Sequence, residues 1–243
     1  MRVLRRFRNE ASSGVDTLLE RLPTYANEFR TASPFPYIVV DDAVDERSLE
    51  RVRRTFPTSS EMTVQFNGHH EVKSAENNWQ RIPSPIRSLL SELNSDSFID
   101  ALEGLSGIKG LIADTRLIGG GLHQIGRGGK LDVHADFNYY EATRLHRRLN
   151  VLLYLNRGWK PEWGGQLELW PDDFSYCRRS IDPKFNRMVI FATTSTSFHG
   201  HPKPLTCPSN VTRKSLALYY YTAYPGPDAQ AAHSTLFHEV PGD

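Results

Sequence analysis

The chain has 243 residues, of which 39% are hydrophobic and 11% aromatic, and its 29 basic and 28 acidic side chains leave a formal net charge of +1. This length allows a well-buried core in one domain, with or without an extension. The balanced charge argues against nucleic acid or an anionic membrane as a partner, and no apolar run approaches the roughly 20 residues that would span a bilayer. Because the two cysteines, Cys177 and Cys207, are too few for a disulfide framework, and the basic start lacks the apolar core of a signal peptide, we expect a cytoplasmic protein with reduced thiols.

The first third of the chain is predicted to be mainly helical. Residues 1–33 are mixed in charge and interrupted by turn-forming residues, so we interpret them as a helical lead-in to a single domain at 34–243. The β-branched and aromatic run at 35–42 predicts a first strand, and Asp45 is placed to cap the helix that follows. Apolar residues at helical spacing predict three helices: one with Leu49, Val52 and Phe56 on one face, and two at about 85–93 and 97–105.

From Leu111 onward the chain changes to short apolar or alternating runs broken by glycine and proline. Short strands at this spacing predict a sandwich or barrel, of which the double-sheet jelly roll can hold a small ligand in its interior. The expected fold class is therefore α+β, with N-terminal supporting helices and a β-rich core at about 110–222. The predicted strands are 112–118, 121–125, 131–137, 148–155, 166–170, 188–192 and 215–221.

The strand predicted at 131–137 contains His134 and Asp136, two residues apart. Side chains at positions i and i+2 of a strand lie on one face, so both can point at a common atom. With a second histidine they would form a facial triad of two imidazoles and one carboxylate, which leaves positions open on Fe(II) for a co-substrate and dioxygen. The His-x-Asp spacing is common, however, and by itself does not establish a metal site.

The second histidine is expected on a late strand, after the apolar run at 188–191. His199 and His201 both qualify, since they repeat the i, i+2 relation, and an ordinary turn residue is the alternative reading of either. Fourteen residues after His199, Arg213 and Ser215 share a strand face, and a guanidinium can bind a carboxylate with two parallel hydrogen bonds. An arginine in a strand is usually a surface charge. Its occurrence together with the histidines and the carboxylate favours an anchor for an acid.

Six motifs follow one another in order: His134-x-Asp136, Tyr154-Leu155-Asn156, Gly164-Gly165-x-Leu167-x-Leu169, Asn186-Arg187, His199-Gly200 and Arg213-x-Ser215. Together they resemble the 2-oxoglutarate and Fe(II)-dependent dioxygenases, and within them the prolyl 4-hydroxylase-like branch. The resemblance covers roughly residues 110–222 and implies a double-stranded β-helix, or jelly-roll, core. It also implies that His134, Asp136 and His199 are the iron ligands and catalytic residues, with His199 preferred because the family's distal histidine precedes a small residue.

The resemblance further implies a co-substrate site. Arg213, helped by Ser215, would pair with the far carboxylate of 2-oxoglutarate, and the Tyr154 hydroxyl would contact the same carboxylate, although a core aromatic is the alternative for Tyr154. Family members often have a tyrosine on the strand before the His-x-Asp motif, where this chain has His123 and Gln124. We interpret Gln124 as a candidate co-substrate contact, and a hydrogen-bonded core group explains it equally well.

The activity implied by the resemblance is hydroxylation of an unactivated C–H bond. Fe(II), 2-oxoglutarate as co-substrate, dioxygen and ascorbate as a supporting reductant would be used, and succinate and carbon dioxide released. The substrate would be either a small molecule, such as a free amino acid or a biosynthetic intermediate, or a peptide that is modified at a prolyl residue. Asp136 favours hydroxylation over halogenation, because halogenating members carry a small residue there. Desaturation or cyclisation, and a non-catalytic jelly roll that senses a metal or metabolite, are the alternatives, while a zinc hydrolase is disfavoured by Arg213 and by the absence of a His-Glu-x-x-His motif. No oligomeric state is predicted.

Overall fold

The protein was analysed as a computed structural model, which describes residues 14–226 and 231–240. The chain enters through α1 (Asp16–Arg21), a short 3-10 helix (Leu22–Tyr25) and α2 (Ala26–Thr31). The described part of the predicted lead-in is therefore helical, and residues 1–13 of it lie outside the described residues. No helix within the described ranges is long and apolar enough to cross a membrane.

Three longer helices support the β-rich core: α3 (Glu46–Arg54), α4 (Ser84–Leu93) and α5 (Asp96–Ser106). The Asp45 side chain caps α3 as predicted, since it accepts a hydrogen bond from the backbone N–H of Ser48. Helix α5 ends at Gly107, whose φ of 76° lies in the left-handed region that favours glycine at this position. The buried faces of these helices share one apolar cluster with sheet residues such as Val151 and Leu218.

Fourteen strands form two sheets within the described residues. Nine strands make a major sheet in the order β1-β11-β8-β13-β5-β3-β2, with β4 beside β13 and β7 beside β8, and five make a minor sheet in the order β10-β9-β12-β6-β14. Neighbouring strands run antiparallel throughout. The strands are β1 (Tyr37–Val40), β2 (Val64–Asn67), β3 (Val72–Glu76), β4 (Ile112–Ala113), β5 (Gly121–Ile125), β6 (Leu131–Ala135), β7 (Tyr139–Tyr140), β8 (Leu145–Tyr154), β9 (Leu167–Trp170), β10 (Arg179–Ile181), β11 (Met188–Ala192), β12 (Phe198–His201), β13 (Arg213–Thr222) and β14 (Leu236–Phe237).

This arrangement confirms the predicted double-stranded β-helix core behind N-terminal helices. The outer face of the major sheet packs on the helices, and its inner face packs on the minor sheet through apolar residues that include Tyr154, Leu169 and Phe191. Both faces of the central major-sheet strands are therefore buried. Polar side chains on the inner face lie between the two sheets and out of bulk water.

The strand predicted at 112–118 is cut short after Ala113. The Asp114 carboxylate accepts hydrogen bonds from the backbone N–H groups of Arg116 and Ile118, and Leu117 adopts a φ of 53°, so the chain turns where extension was expected. Strands β2, β3, β7, β10 and β14 were not predicted, because these short segments do not show a clear apolar alternation.

Candidate active site

The structure brings the three predicted metal ligands together. Strands β6 and β12 pair with His134 directly opposite His199, and Asp136 follows β6 immediately. The Nε2 atom of His134 lies 3.6 Å from Oδ1 of Asp136, and the Nε2 atom of His199 lies 3.5 Å from Oδ2. All three residues can place a ligand atom within 4.8 Å of the others. The side chain of His201 is not part of this group.

Backbone contacts fix the orientation of both imidazoles. The Nδ1 atoms of His134 and His199 lie 2.8 and 2.9 Å from the backbone oxygens of Asp132 and Ser197. A carbonyl can only accept a hydrogen bond, so each Nδ1 holds the proton and each Nε2 keeps its lone pair directed at Asp136. Burial, and then the neighbouring imidazole, lower the pKa of His199 to about 4. At neutral pH this ring is therefore uncharged, as a metal ligand must be.

The Asp136 carboxylate is held in its charged form by neighbours that the sequence did not identify. Arg147, whose side chain is 1% exposed, places Nη2 at 2.9 Å from Oδ2, and the Asn150 side-chain amide donates to the same oxygen at 2.8 Å. Burial raises the pKa of Asp136, but the charge of Arg147, joined in acid by the protonated imidazoles, outweighs burial and holds the pKa well below its usual range. The guanidinium also stacks on the ring of Tyr219, 3.4 Å from the centroid.

These side chains fit an Fe(II) ion. Two imidazole nitrogens and one carboxylate are the donors of a facial triad, which leaves coordination positions free. Ligands bonded at about 2.1 Å to one ion can be at most about 4.2 Å apart. The separations of 3.5 and 3.6 Å between Asp136 and the two histidines satisfy this limit.

A second group of metal-ligand side chains consists of the exposed His69 and His70 and the buried Asp132. Its carboxylate is already engaged, because Lys130 Nζ is 2.7 Å from Oδ1 and His70 Nδ1 is 3.1 Å from Oδ2. A divalent cation there would have to displace an ammonium group. The buried triad is the better metal site.

Arg213 lies beside the triad in one cavity of about 260 Å³, which Ser215 also lines. Its Nε donates to the backbone oxygen of Gly165 at 2.8 Å, and its Nη2 donates to the Tyr154 hydroxyl at 3.2 Å. A Cβ atom on Gly165 would lie 2.7 Å from Leu205 and 3.0 Å from the arginine stem, so glycine is required for this close approach. No carboxylate of the described residues lies within ion-pair distance of Arg213, which is 5% exposed. The positive charge of this buried guanidinium therefore has no anionic partner among the described residues.

Tyr154 is fully buried behind Arg213 rather than in the cavity wall. Since its hydroxyl accepts the hydrogen bond from Arg213, its proton is free to be donated to an acid bound there. Burial raises the pKa of Tyr154, so this proton is retained at neutral pH. The structure thus places the Tyr154 hydroxyl against the Arg213 guanidinium, and its contact with a bound carboxylate stays a prediction.

Gln124 is not brought into the cavity. It points to the other face of β5, where its side-chain amide donates to the Thr212 hydroxyl at 2.9 Å. His123, the preceding residue, lines the cavity and lies with Nε2 at 3.1 Å from the backbone oxygen of Gly119. Because neighbouring strand residues face opposite sides, only one of the pair can reach the co-substrate region.

The outer wall of the cavity comes from two segments that sequence reasoning missed. The β2–β3 hairpin contributes Phe66 and Lys73, with Lys73 Nζ 4.7 Å from the centre of the Phe66 ring. The C-terminal strand β14 contributes Phe237, whose ring stacks on His70 of the hairpin at 4.4 Å. Phe137, which directly follows Asp136, also lines the cavity, while Trp159 and Trp163 pack in a separate apolar cluster.

Residues 120–221 match a family model described as the 2OG-Fe(II) oxygenase superfamily. The matched segment contains the triad and Arg213, and it supports a 2-oxoglutarate-dependent oxygenase that uses Fe(II), as the resemblance implied. No curated protein matches its sequence.

Several solved structures show the same fold as this chain. A prolyl-4-hydroxylase from Pseudomonas putida is 16% identical with a TM-score of 0.59, and the match covers 83% of this chain and 99% of that one. A prolyl hydroxylase from Trichoplax adhaerens, in complex with a hypoxia inducible factor peptide fragment, is 20% identical with a TM-score of 0.56, covering 84% and 89%. HygX from Streptomyces hygroscopicus, with nickel and 2-oxoglutarate bound, is 13% identical with a TM-score of 0.53, covering 84% and 92%.

Proposed function

We propose that this oxygenase hydroxylates an unactivated C–H bond of a small molecule or of a peptide residue, with release of succinate and carbon dioxide. His134, Asp136 and His199 hold Fe(II), and Arg213 anchors the far carboxylate of 2-oxoglutarate with Ser215 and Tyr154. The observation that carries the proposal is a complete facial triad and a buried, acid-free arginine in the same cavity. The free thiols Cys177 and Cys207 suit a cytoplasmic location, where Fe(II) also stays reduced.

When bound, Fe(II), 2-oxoglutarate and dioxygen supply the oxidising chemistry. The chain supplies geometry and charge. The two imidazoles present fixed lone pairs, and Asp136 is kept ionised by Arg147 in the absence of any ion. Because these groups are oriented before a ligand arrives, little reorganisation is needed on binding.

The co-substrate end of the cavity is built to select an acid. Arg213 offers the charge, and its contacts with Gly165 and Tyr154 fix the plane of the guanidinium before binding. A carboxylate entering this low-dielectric site gains a stronger interaction than it would in water. The side chains of Phe66, Phe137 and Phe237 add an apolar wall to the cavity that holds the triad.

The test is coupled turnover. Purified protein is incubated in air with Fe(II), ascorbate and 2-oxoglutarate, and succinate is measured with and without free amino acids, prolyl peptides and small polar metabolites. We expect a productive substrate to raise succinate release and to yield a product heavier by one oxygen atom, derived from dioxygen.

The His199→Ala variant serves as the control and should release no succinate above background. A product that has lost two hydrogen atoms would show that the reaction is desaturation or cyclisation and not hydroxylation. If the wild-type protein neither releases succinate nor binds 2-oxoglutarate in the presence of a divalent metal, the proposal is wrong.

A further inference from the structure

His201, at the end of β12, is a buried side chain without a hydrogen-bond partner. It is 3% exposed, and neither ring nitrogen has a partner within the described residues. His134 and His199 differ, because their Nδ1 atoms are bound to backbone carbonyls. Buried polar groups in native proteins are nearly always hydrogen-bonded, so a partner that the chain does not provide is expected.

The position of His201 indicates where that partner binds. It follows His199 by two residues, so both side chains face inward, and the strand rise places His201 about 6.6 Å farther along β12. The ring lines the same cavity as Arg213 and Ser215. The imidazole therefore shares the cavity with the guanidinium that is expected to bind an acid.

We propose that His201 donates a hydrogen bond to the far carboxylate of bound 2-oxoglutarate and so helps to select a dicarboxylic 2-oxo acid. This inference rests on the proposed function. An imidazole in either tautomer has one N–H group to donate, and a carboxylate has two acceptor oxygens. Arg213 approaches from the major sheet and His201 from the minor sheet. The carboxylate is therefore held between the two sheets, and the contact satisfies the ring nitrogen that the chain leaves without a partner.

The test distinguishes recognition of the far carboxylate of the co-substrate from recognition of its 2-oxo acid group. Zn(II)-loaded wild type and His201→Leu are titrated calorimetrically with 2-oxoglutarate and with 2-oxobutyrate, which keeps the 2-oxo acid group and lacks the far carboxylate. A hydrogen bond to a charged group corresponds to roughly tenfold in affinity or more. We expect His201→Leu to weaken 2-oxoglutarate binding by that factor and to leave 2-oxobutyrate binding within about twofold.

The matched control is His146→Leu, which removes an imidazole that packs at a tilt against Tyr139 outside the cavity. It should bind both oxo acids as the wild type does. An equal loss of both ligands in His201→Leu, or no loss of 2-oxoglutarate affinity, would overturn the role of His201. Failure of the wild type itself to bind 2-oxoglutarate would instead refute the proposed function, so the two failures are distinguishable.

A measurement on the wild-type protein keeps the inference testable if His201→Leu does not fold. Histidine side-chain ¹⁵N resonances are recorded for the Zn(II)-loaded protein, and the His201 signals are assigned from their loss in His201→Gln. We expect these resonances to shift on addition of 2-oxoglutarate and to stay in place with 2-oxobutyrate. Identical responses to the two acids, or none to either, would contradict the contact.

Discussion

Replacing Arg147 with methionine is expected to destabilise the metal-free protein and to increase the stabilisation gained from a divalent metal ion. Arg147 is 2.9 Å from Asp136 Oδ2, and its side chain is 1% exposed. Removing one partner of such a buried ion pair costs about 3–5 kcal/mol, because the other charge is left without compensation. A bound metal ion gives Asp136 a new positive partner and so restores part of this loss.

The size of the metal effect follows from the remaining contacts of Arg147. In the metal-loaded variant, the metal ion compensates the charge of Asp136. The remaining loss of stability comes from one hydrogen bond to Asn150 and the stacking on Tyr219, which together contribute about 1–3 kcal/mol. The metal-induced gain in the free energy of unfolding should therefore be about 2 kcal/mol larger in Arg147→Met than in the wild type.

Urea unfolding at neutral pH, with and without Zn(II), measures this gain. Zn(II) avoids the oxidation that Fe(II) would undergo during the experiment. The control is Arg148→Met, in which the neighbouring guanidinium, which donates to the Thr222 hydroxyl at 3.1 Å, is lost instead. We expect a wild-type metal response in Arg148→Met. A metal response in Arg147→Met that equals or falls below the wild type would refute the charge-compensation argument.

His199→Ala should abolish retention of Fe(II) after dialysis, measured by metal analysis, whereas His201→Ala should retain it. The reverse pattern would show that His201, and not His199, is the iron ligand. Arg213→Ala should weaken 2-oxoglutarate binding, measured calorimetrically, by about 3–5 kcal/mol because the carboxylate loses its buried cation, and an unchanged affinity would exclude Arg213 as the anchor. Burial raises the pKa of Glu76, but hydrogen bonds from its neighbours lower it further, so its folded pKa lies below the usual value. Glu76 therefore stabilises the fold above about pH 4 and loses this effect as pH falls through the lower, folded value. Urea unfolding should show Glu76→Gln to be about 1.5–3 kcal/mol less stable at neutral pH, with the difference narrowing in acid; a difference independent of pH would contradict this account.

The sequence predicted most of the inner face of the major sheet because alternation places i and i+2 side chains together. Arg213 and Ser215 accordingly line one cavity. Alternation did not decide between His123 and Gln124, since both faces of β5 are buried and an apolar pattern then carries no information about which face is inward. A buried strand of this kind shows its orientation only when its neighbours are known.

The partners of Asp136 and the outer wall could not be predicted for another reason: they depend on contacts between distant parts of the chain. Arg147 and Arg148 are adjacent and identical in type, and only the packed sheet shows that the first reaches the carboxylate. Lys73 and Phe237 meet the site through strand pairings that short polar segments do not reveal.

Strand β14 pairs only two residues with His134 and Ala135, about 100 positions earlier in the chain. Because the pairing is this short and lies at the edge of the minor sheet, it is expected to be weakly protected against hydrogen exchange. The His238 amide, which donates to the Val133 oxygen at 2.8 Å, should therefore exchange with deuterium sooner than the amides that join β6 to β12. Local unfolding of this one strand would remove Phe237 from the cavity wall while His134 and His199 stay paired between β6 and β12.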